Sequence, residues 1–279
     1  MTVSPQKLQH YCLKTLCEDV ESLCAEQELN RSFEPRYFLP THLSEEFLSR
    51  LNRSNKLCDR TLLLFNSTLT NLRKIDIRNA GVSVRSLQVL RQHKLVDVRT
   101  VGLKNVSVDD IISCLNTESL ASLRHLNVSN CTFVTNAKLR APVIVSLSKL
   151  RNLHSLNVSH TEFNETGIDI VSQCLPSLQV LDVSCTPITE TEHFSKFKHR
   201  LKSLTLHNLH INFDAASAQG LMALTSLQHL DVSCDYFIES PEHIFGRPCL
   251  DDFVSAMFDL PQLVSLDLSG HLFSSKLLQ

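Results

Sequence analysis

LRHLNVSNCTF (Leu123–Phe133), LHSLNVSHTEF (Leu153–Phe163), LQVLDVSCTPI (Leu178–Ile188), LQHLDVSCDYF (Leu227–Phe237) and LVSLDLSGHLF (Leu263–Phe273) are five copies of one phrase. Its core, LxxLxL, recurs eight times, beginning at Leu72, Leu95, Leu123, Leu153, Leu178, Leu201, Leu227 and Leu263. Subtraction gives spacings of 23, 28, 30, 25, 23, 26 and 36 residues, mostly the period of about 20–29 expected of leucine-rich repeats. Each unit is one strand and one return segment, and neither can bury its apolar face alone. Stacking the units joins those faces into one core. The fold class is therefore α/β, a leucine-rich-repeat solenoid with a parallel concave sheet and convex helices.

Between the strands, the returns switch to helical spacing. Val108–Leu115, Ile168–Leu175 and Leu250–Leu260 place apolar residues at i, i+3/i+4 and i+7, which predicts helices on the convex side. The two longest gaps are expected to hold loops at Val134–Arg140 and Tyr236–Pro248. No LxxLxL phrase precedes Leu72. Residues 1–70 read as an all-helical cap and residues 71–279 as the solenoid. The first helix is expected from Pro5 to Cys24, with Leu8, Cys12, Leu16, Val20 and Leu23 along one stripe. The second is expected from Thr41 to Leu51, opened by Pro40. A third, from Asn55, is apolar enough to lie against the first repeat.

The bulk numbers exclude several functions. The formal net charge of −2 over 279 residues argues against nucleic acid and membrane surfaces as partners, since both call for a basic excess. Basic residues gather between Arg73 and Lys104 and acidic ones between Glu18 and Glu28, both read as solvated faces. Met1–Gln9 is polar and no apolar run follows, so no secretory leader is expected. No run is long and apolar enough for a transmembrane helix. The ten cysteines are scattered and do not frame the two ends. Cys131, Cys185 and Cys234 fall at equivalent or neighbouring repeat positions, where cysteine acts as a small buried apolar group. Reduced thiols and a cytoplasmic or nuclear location follow as expectations. The Asn-x-Ser sequons at Asn127 and Asn157 lie inside the strands, as products of the repeat.

Catalytic and metal chemistry find no foothold in the sequence. The histidines are dispersed over different repeats, without HxxxH or CxxC spacing for zinc. No nucleophile elbow, phosphate loop or Gly-rich cradle is present. The reading is a non-enzyme with no cofactor and no metal. A polar ladder does run along the strands: Asp76, Asn127, Asn157, Asp182, Thr205, Asp231 and Asp267. A serine stands two residues after five of them. Asn127, Asn157, Asp182, Asp231 and Asp267 are candidate partner-binding residues on the concave face. The alternative is that they bond to one another and to water.

The N-terminal helices carry the sharper signal. In LQHYCLKTL, Leu8, Cys12 and Leu16 are spaced four and four and share one face. Downstream, FLPTHLSEEFLSRL supplies Leu39, Pro40, Leu43 and Phe47. The phrase LxxxCxxxL followed by Leu-Pro-x-x-Leu resembles the elongin-binding box and cullin box of cullin-2 substrate receptors. The repeats Arg200–Ile211, Ser226–Asp235 and Leu260–His271 resemble those of the protein zyg-11 homolog family, which includes the Zer-type relatives.

The resemblance implies a substrate-recognition subunit of a cullin-2, elongin B/C ubiquitin ligase. It implies that Leu8, Cys12 and Leu16 bind elongin C by helix-in-groove docking and that Leu39, Pro40, Leu43 and Phe47 bind cullin-2. The wider family reads protein N-termini, notably glycine, through an armadillo-like domain that follows the repeats. The 279 residues do not contain such a domain, so the chain alone is not expected to bind a glycine-started peptide. The competing reading is a free-standing leucine-rich-repeat scaffold or inhibitor whose N-terminal helices are only a cap. An extracellular receptor ectodomain fits less well, for want of a leader and disulfide caps. Burial of Leu8 and Cys12 separates the first two readings, because monomers seldom leave apolar stripes uncovered.

Overall fold

The computed structural model describes residues 5–29, 38–133, 146–211, 214–235 and 250–271. Its centre is an eight-stranded parallel sheet whose spatial order is the chain order. The strands are β1 (Lys74–Arg78), β2 (Asp97–Val101), β3 (His125–Asn127), β4 (Ser155–Asn157), β5 (Val180–Asp182), β6 (Ser203–Thr205), β7 (His229–Asp231) and β8 (Ser265–Asp267). Each begins two residues after the leucine that opens its phrase. The register stacks like on like: Leu126 pairs with Leu156, Leu181 with Leu204, and Leu230 with Leu266. Alternation then sends the middle residue of each three-residue strand inward and its neighbours to the open face.

Helices form the opposite layer where the spacing predicted them: α6 (Val108–Ser113), α8 (Glu165–Cys174) and α10 (Asp251–Met257). α5 (Val84–Leu87), α7 (Thr117–Ser122) and α9 (Ala215–Met222), with the 3-10 helices Gln88–Gln92 and Glu192–Phe197, form the other described returns. Short polar caps set the starts of five of the α-helices. Ser107 and Asp110 form a reciprocal capping box, as do Asp214 and Ser217. Asn116 and Asn164 accept from the third backbone N–H of their helices, the usual stabilisation of an open helix end. Helices are wider than strands are far apart, so the sheet takes the concave side.

The strands end in a repeated left-handed turn. Asn79, Gly102, Asn130, His160, Cys185, Asn208 and Gly270 hold one equivalent position, and all have φ between 50° and 86°. This corrects the reading of the cysteines. Cys131 is buried, but Cys185 and Cys234 are only half-buried, because their position faces the turn and not the core. The described cysteines are free thiols. The expected loops at Val134–Arg140 and Tyr236–Pro248 lie outside the described residues.

The cap is helical. The expected first helix bends at Asp19 into α1 (Pro5–Glu18) and α2 (Val20–Leu29), while hydrogen bonds continue across the bend. α3 (Thr41–Arg53) and the short α4 (Asp59–Leu62) follow. α3 covers the outer edge of β1. Glu45 Oε1 accepts from the Lys74 and Arg73 N–H groups at 2.8 and 3.1 Å, and Asn52 Oδ1 accepts from Arg78 N–H at 3.1 Å. Side-chain acceptors thus replace the missing neighbour strand at a sheet edge. Phe47 packs on Phe65 with ring centroids 5.3 Å apart. One hydrophobic core runs from Leu13 to Leu260.

Candidate functional site

Two surfaces stand out, the outer face of α1 and the open face of the sheet. α1 is oriented by its inner residue. Leu13 is buried, and Val20 and Cys24 of α2 continue that line inward. Arg50 of α3 fixes the orientation: its guanidinium bonds the His10 carbonyl at 3.3 Å and the His10 ring at 3.2 Å, while its Nε pairs with Glu46 at 2.8 Å. Lys56 Nζ donates to the Cys17 carbonyl at 2.8 Å. Leu8, Tyr11 and Cys12 are consequently turned outward. Leu8 is 58% exposed and Tyr11 59%, and Cys12 is exposed. Leu16 is half-buried against the core. Leu8 and Cys12 thus stand free with Leu16 at their rim, while Val20, expected on the same stripe, is buried beyond the bend. Tyr11 belongs to the same patch. Sequence reading missed it because Tyr11 stands outside the four-residue spacing, although it adjoins Leu8 one turn on.

The second segment is less open than its motif suggests. Leu39 N–H donates to the Leu69 carbonyl at 2.7 Å, and Ser44 Oγ donates to the Leu39 carbonyl at 2.7 Å. Leu39 and Leu43 are half-buried against the core. Pro40 is exposed at the start of α3. Phe47 is 2% exposed and belongs to the core. It is therefore removed from the candidate cullin contacts, because its ring fills the space between α3 and Phe65. Phe38, 55% exposed, adjoins Pro40 and takes its place as the accessible aromatic.

On the open face, the polar ladder performs a specific task. Asn127, Asn157, Asp182, Asp231 and Asp267 each accept, through Oδ1, from the backbone N–H two residues on, at 2.8–3.0 Å. Four of the following serines also donate their hydroxyl to the same oxygen, at 2.5–2.8 Å. These are Asx-turns that steer the chain out of each strand. Within the ladder, Asn157 Nδ2 donates to Asp182 Oδ2 of the next repeat at 2.6 Å. The bonds from Ser269 hold the Asp267 carboxyl below its ordinary value, and the nearby His207 adds to this. The second oxygens of Asp231 and Asp267 accept no described hydrogen bond. One oxygen of each residue builds the turn, and the second oxygens of Asp231 and Asp267 are left over on the open face. No group of His, Cys, Asp and Glu among the described residues is placed to hold a metal.

Comparison with known proteins follows this geometry. Residues 169–278 match the family described as Zer-1-like, leucine-rich repeats. Over that stretch the chain is similar to the Zer-1-like family. Two curated relatives, the protein zer-1 homologs of Homo sapiens and Pongo abelii, are each 24% identical over 289 aligned residues, covering 94% of this chain. The chain spans 36% of the length of those zer-1 homologs. CD180 antigen of Mus musculus is 25% identical over 211 residues, covering 70% of this chain and 31% of its own. Among solved structures, an internalin (inlF) of Listeria monocytogenes covers 84% of this chain and 58% of its own, at 15% identity and a TM-score of 0.49. The resemblance drawn from sequence is thereby narrowed. It lies with the Zyg/Zer group of repeats, and the match names Zer-1 and not zyg-11. No helix among the described residues is long and apolar enough to cross a membrane.

Proposed function

We propose that this chain is a substrate-recognition subunit of a cullin-2, elongin B/C ubiquitin ligase. α1 docks into elongin C, the Leu39–Pro40 turn meets cullin-2, and the repeats present a protein-binding surface. One observation carries the reading: α1 leaves Leu8, Tyr11 and Cys12 outward while Leu13 anchors its other face. A helix used only as a cap has no need of a leucine and a tyrosine on its solvent side, and such patches commonly mark interaction sites. Leu8 and Cys12 stand one turn apart, as anchors entering a single groove do. The similarity to the zer-1 homologs supports the reading through the resemblance already drawn from the two N-terminal boxes. Leucine-rich-repeat solenoids in general serve as interaction scaffolds, which accords with a non-catalytic role.

The test is co-purification with elongin B/C, using wild type and a Leu8→Ala, Cys12→Ala double variant. Burying one leucine contributes about 1.5–3 kcal/mol. The variant should therefore bind at least about tenfold more weakly, at roughly 1.4 kcal/mol per decade. Circular dichroism should be unchanged, because neither side chain is in the core. Equal recovery of elongin with both proteins would remove the docking assignment and leave a free-standing scaffold or inhibitor.

A further inference from the structure

The open face of the sheet carries its charge in two separate halves. Along the first three strands and the residues just before them, Arg73, Lys74, Arg78, Arg99 and Arg124 stand with three carboxylates, Asp76, Asp97 and, at the β1 edge, Glu45. All three are already engaged, Asp76 by Arg78 at 2.7 Å, Asp97 by Arg99 at 3.2 Å and Glu45 by the backbone of β1. This half is net positive. β4 is neutral, with Ser155 and Asn157 outward. From β5 onward the sign reverses. Asp182, Asp231 and Asp267 stand with a single Lys202, and none of the three is in a described salt bridge.

The fold does not require these charges. Asn127 and Asn157 make the same turn with an amide oxygen that Asp182, Asp231 and Asp267 make with a carboxylate. The turn needs only an acceptor at Oδ1. The repeats therefore carry the neutral form in the middle and the charged form at one end.

We infer that this face pairs with the same face of a second copy of the chain, about a two-fold axis near β4. The basic half of each copy then lies on the acidic half of the other. A face with two poles is complementary to itself in the antiparallel sense, the arrangement of an isologous dimer. A partner of one sign meets attraction at one half and repulsion at the other. Curvature favours the same pairing. Two concave faces approach first at their ends, where the charges lie, and the neutral β4 spans the gap.

Sedimentation velocity of the purified chain tests this. The wild type should associate to a dimer at about 100 µM in about 50 mM salt and weaken at least tenfold in about 0.5 M salt, where the Debye length falls to a few ångströms. A double variant, Asp231→Asn and Asp267→Asn, keeps the turns and removes most of the pole, while Asp182 stays because its Oδ2 accepts from Asn157. It should keep the wild-type circular dichroism and melting temperature and lose the dimer. A wild type that is monomeric throughout would overturn the inference and hand the face to a different protein of two-signed charge. A dimer that persists in the double variant or ignores salt would overturn it as well, by placing the contact elsewhere.

Discussion

Replacing His93 should loosen the joint between cap and solenoid, and the size of the effect can be worked from its two bonds. His93 is 3% exposed. Its Nε2 lies 2.6 Å from the Phe65 carbonyl of the cap, and its Nδ1 accepts from the Leu72 N–H of the first repeat at 3.3 Å. The carbonyl requires Nε2 to carry the proton, so the ring is neutral and its tautomer is fixed. His93→Leu leaves a buried carbonyl and a buried N–H without partners, each costing about 1–3 kcal/mol, or roughly 2–6 kcal/mol together. Urea unfolding near neutral pH reads this directly. Acid should reproduce part of it. Burial pushes the His93 pKa below its ordinary 6.5, and the bond to the Phe65 carbonyl offsets only part of that. The unfolded chain therefore binds a proton more readily than the folded one. The contribution is fully present above the unfolded value of 6.5, is lost as pH falls below it, and levels off beneath the folded value. The gap between wild type and His93→Leu should thus narrow at about pH 5. A variant within about 0.5 kcal/mol of wild type near neutral pH, or a gap indifferent to acid, would refute the lock, since substitutions away from buried features usually stay inside that range.

Phe47→Ala should destabilise the cap by about 3–5 kcal/mol, the usual cost of emptying a buried aromatic site, so any loss of cullin recovery would be accompanied by a lower melting temperature. Pro40→Ala with Phe38→Ala should instead reduce cullin-2 recovery without changing elongin recovery or the melt, and parallel loss of both partners would show that the cap had come apart. Gly102→Ala should lower the melting temperature. Gly102 has φ +67°, and a Cβ there would stand 2.2 Å from Asn79 Oδ1, so left-handed strain of about 1–2 kcal/mol adds to a clash. An unchanged melt would mean that the turn after β2 yields easily. Deleting residues 1–70 should give an aggregating product in size-exclusion chromatography, and a soluble monomer would contradict the edge-covering role of α3.

Much of the solenoid was legible because its signal is repeated. Every strand begins two residues after the predicted leucine, and the helices at Val108, Ile168 and Leu250 lie where their spacing put them. The turn chemistry was present in the letters but easily misread. Asx followed by Ser two residues on is a turn signature, and five copies of it were visible, yet alternation alone made them a binding ladder. The left-handed position was likewise written as Asn79, Gly102, Asn130, Asn208 and Gly270, but His160 and Cys185 hid the regularity. The docking segments failed in a different way. Leu43 and Phe47 share a face of α3 by spacing, and spacing cannot say whether that face meets solvent or core. That answer came from Phe65, a partner 18 residues distant in sequence. For α1 the same ambiguity resolved oppositely, because Leu13 and not Leu8 lies over α3.

The cap and the repeats are physically one object, and this bears on how a docking subunit would work. α3 is at once the cover of β1, the support of α1 and the element that begins at Pro40. Its Glu45, Ser44 and Asn52 accept from the backbone N–H groups of Arg73, Lys74, Asn71 and Arg78. Its Arg50 holds His10, and its Phe47 is packed on Phe65. Moving α1 relative to the sheet therefore breaks the bonds of His10 to Arg50 and unpacks the buried Leu13 together. A ligand on the concave face and a protein on α1 would then keep a fixed separation through the shared core from Leu13 to Leu260. A receptor that must hold a substrate at a set distance from a ligase gains from such a joint, because no flexible linker dilutes the effective concentration of the two sites. A scaffold whose helices merely sealed the first repeat would need Phe47 and Leu13 but neither the outward Leu8 nor Tyr11.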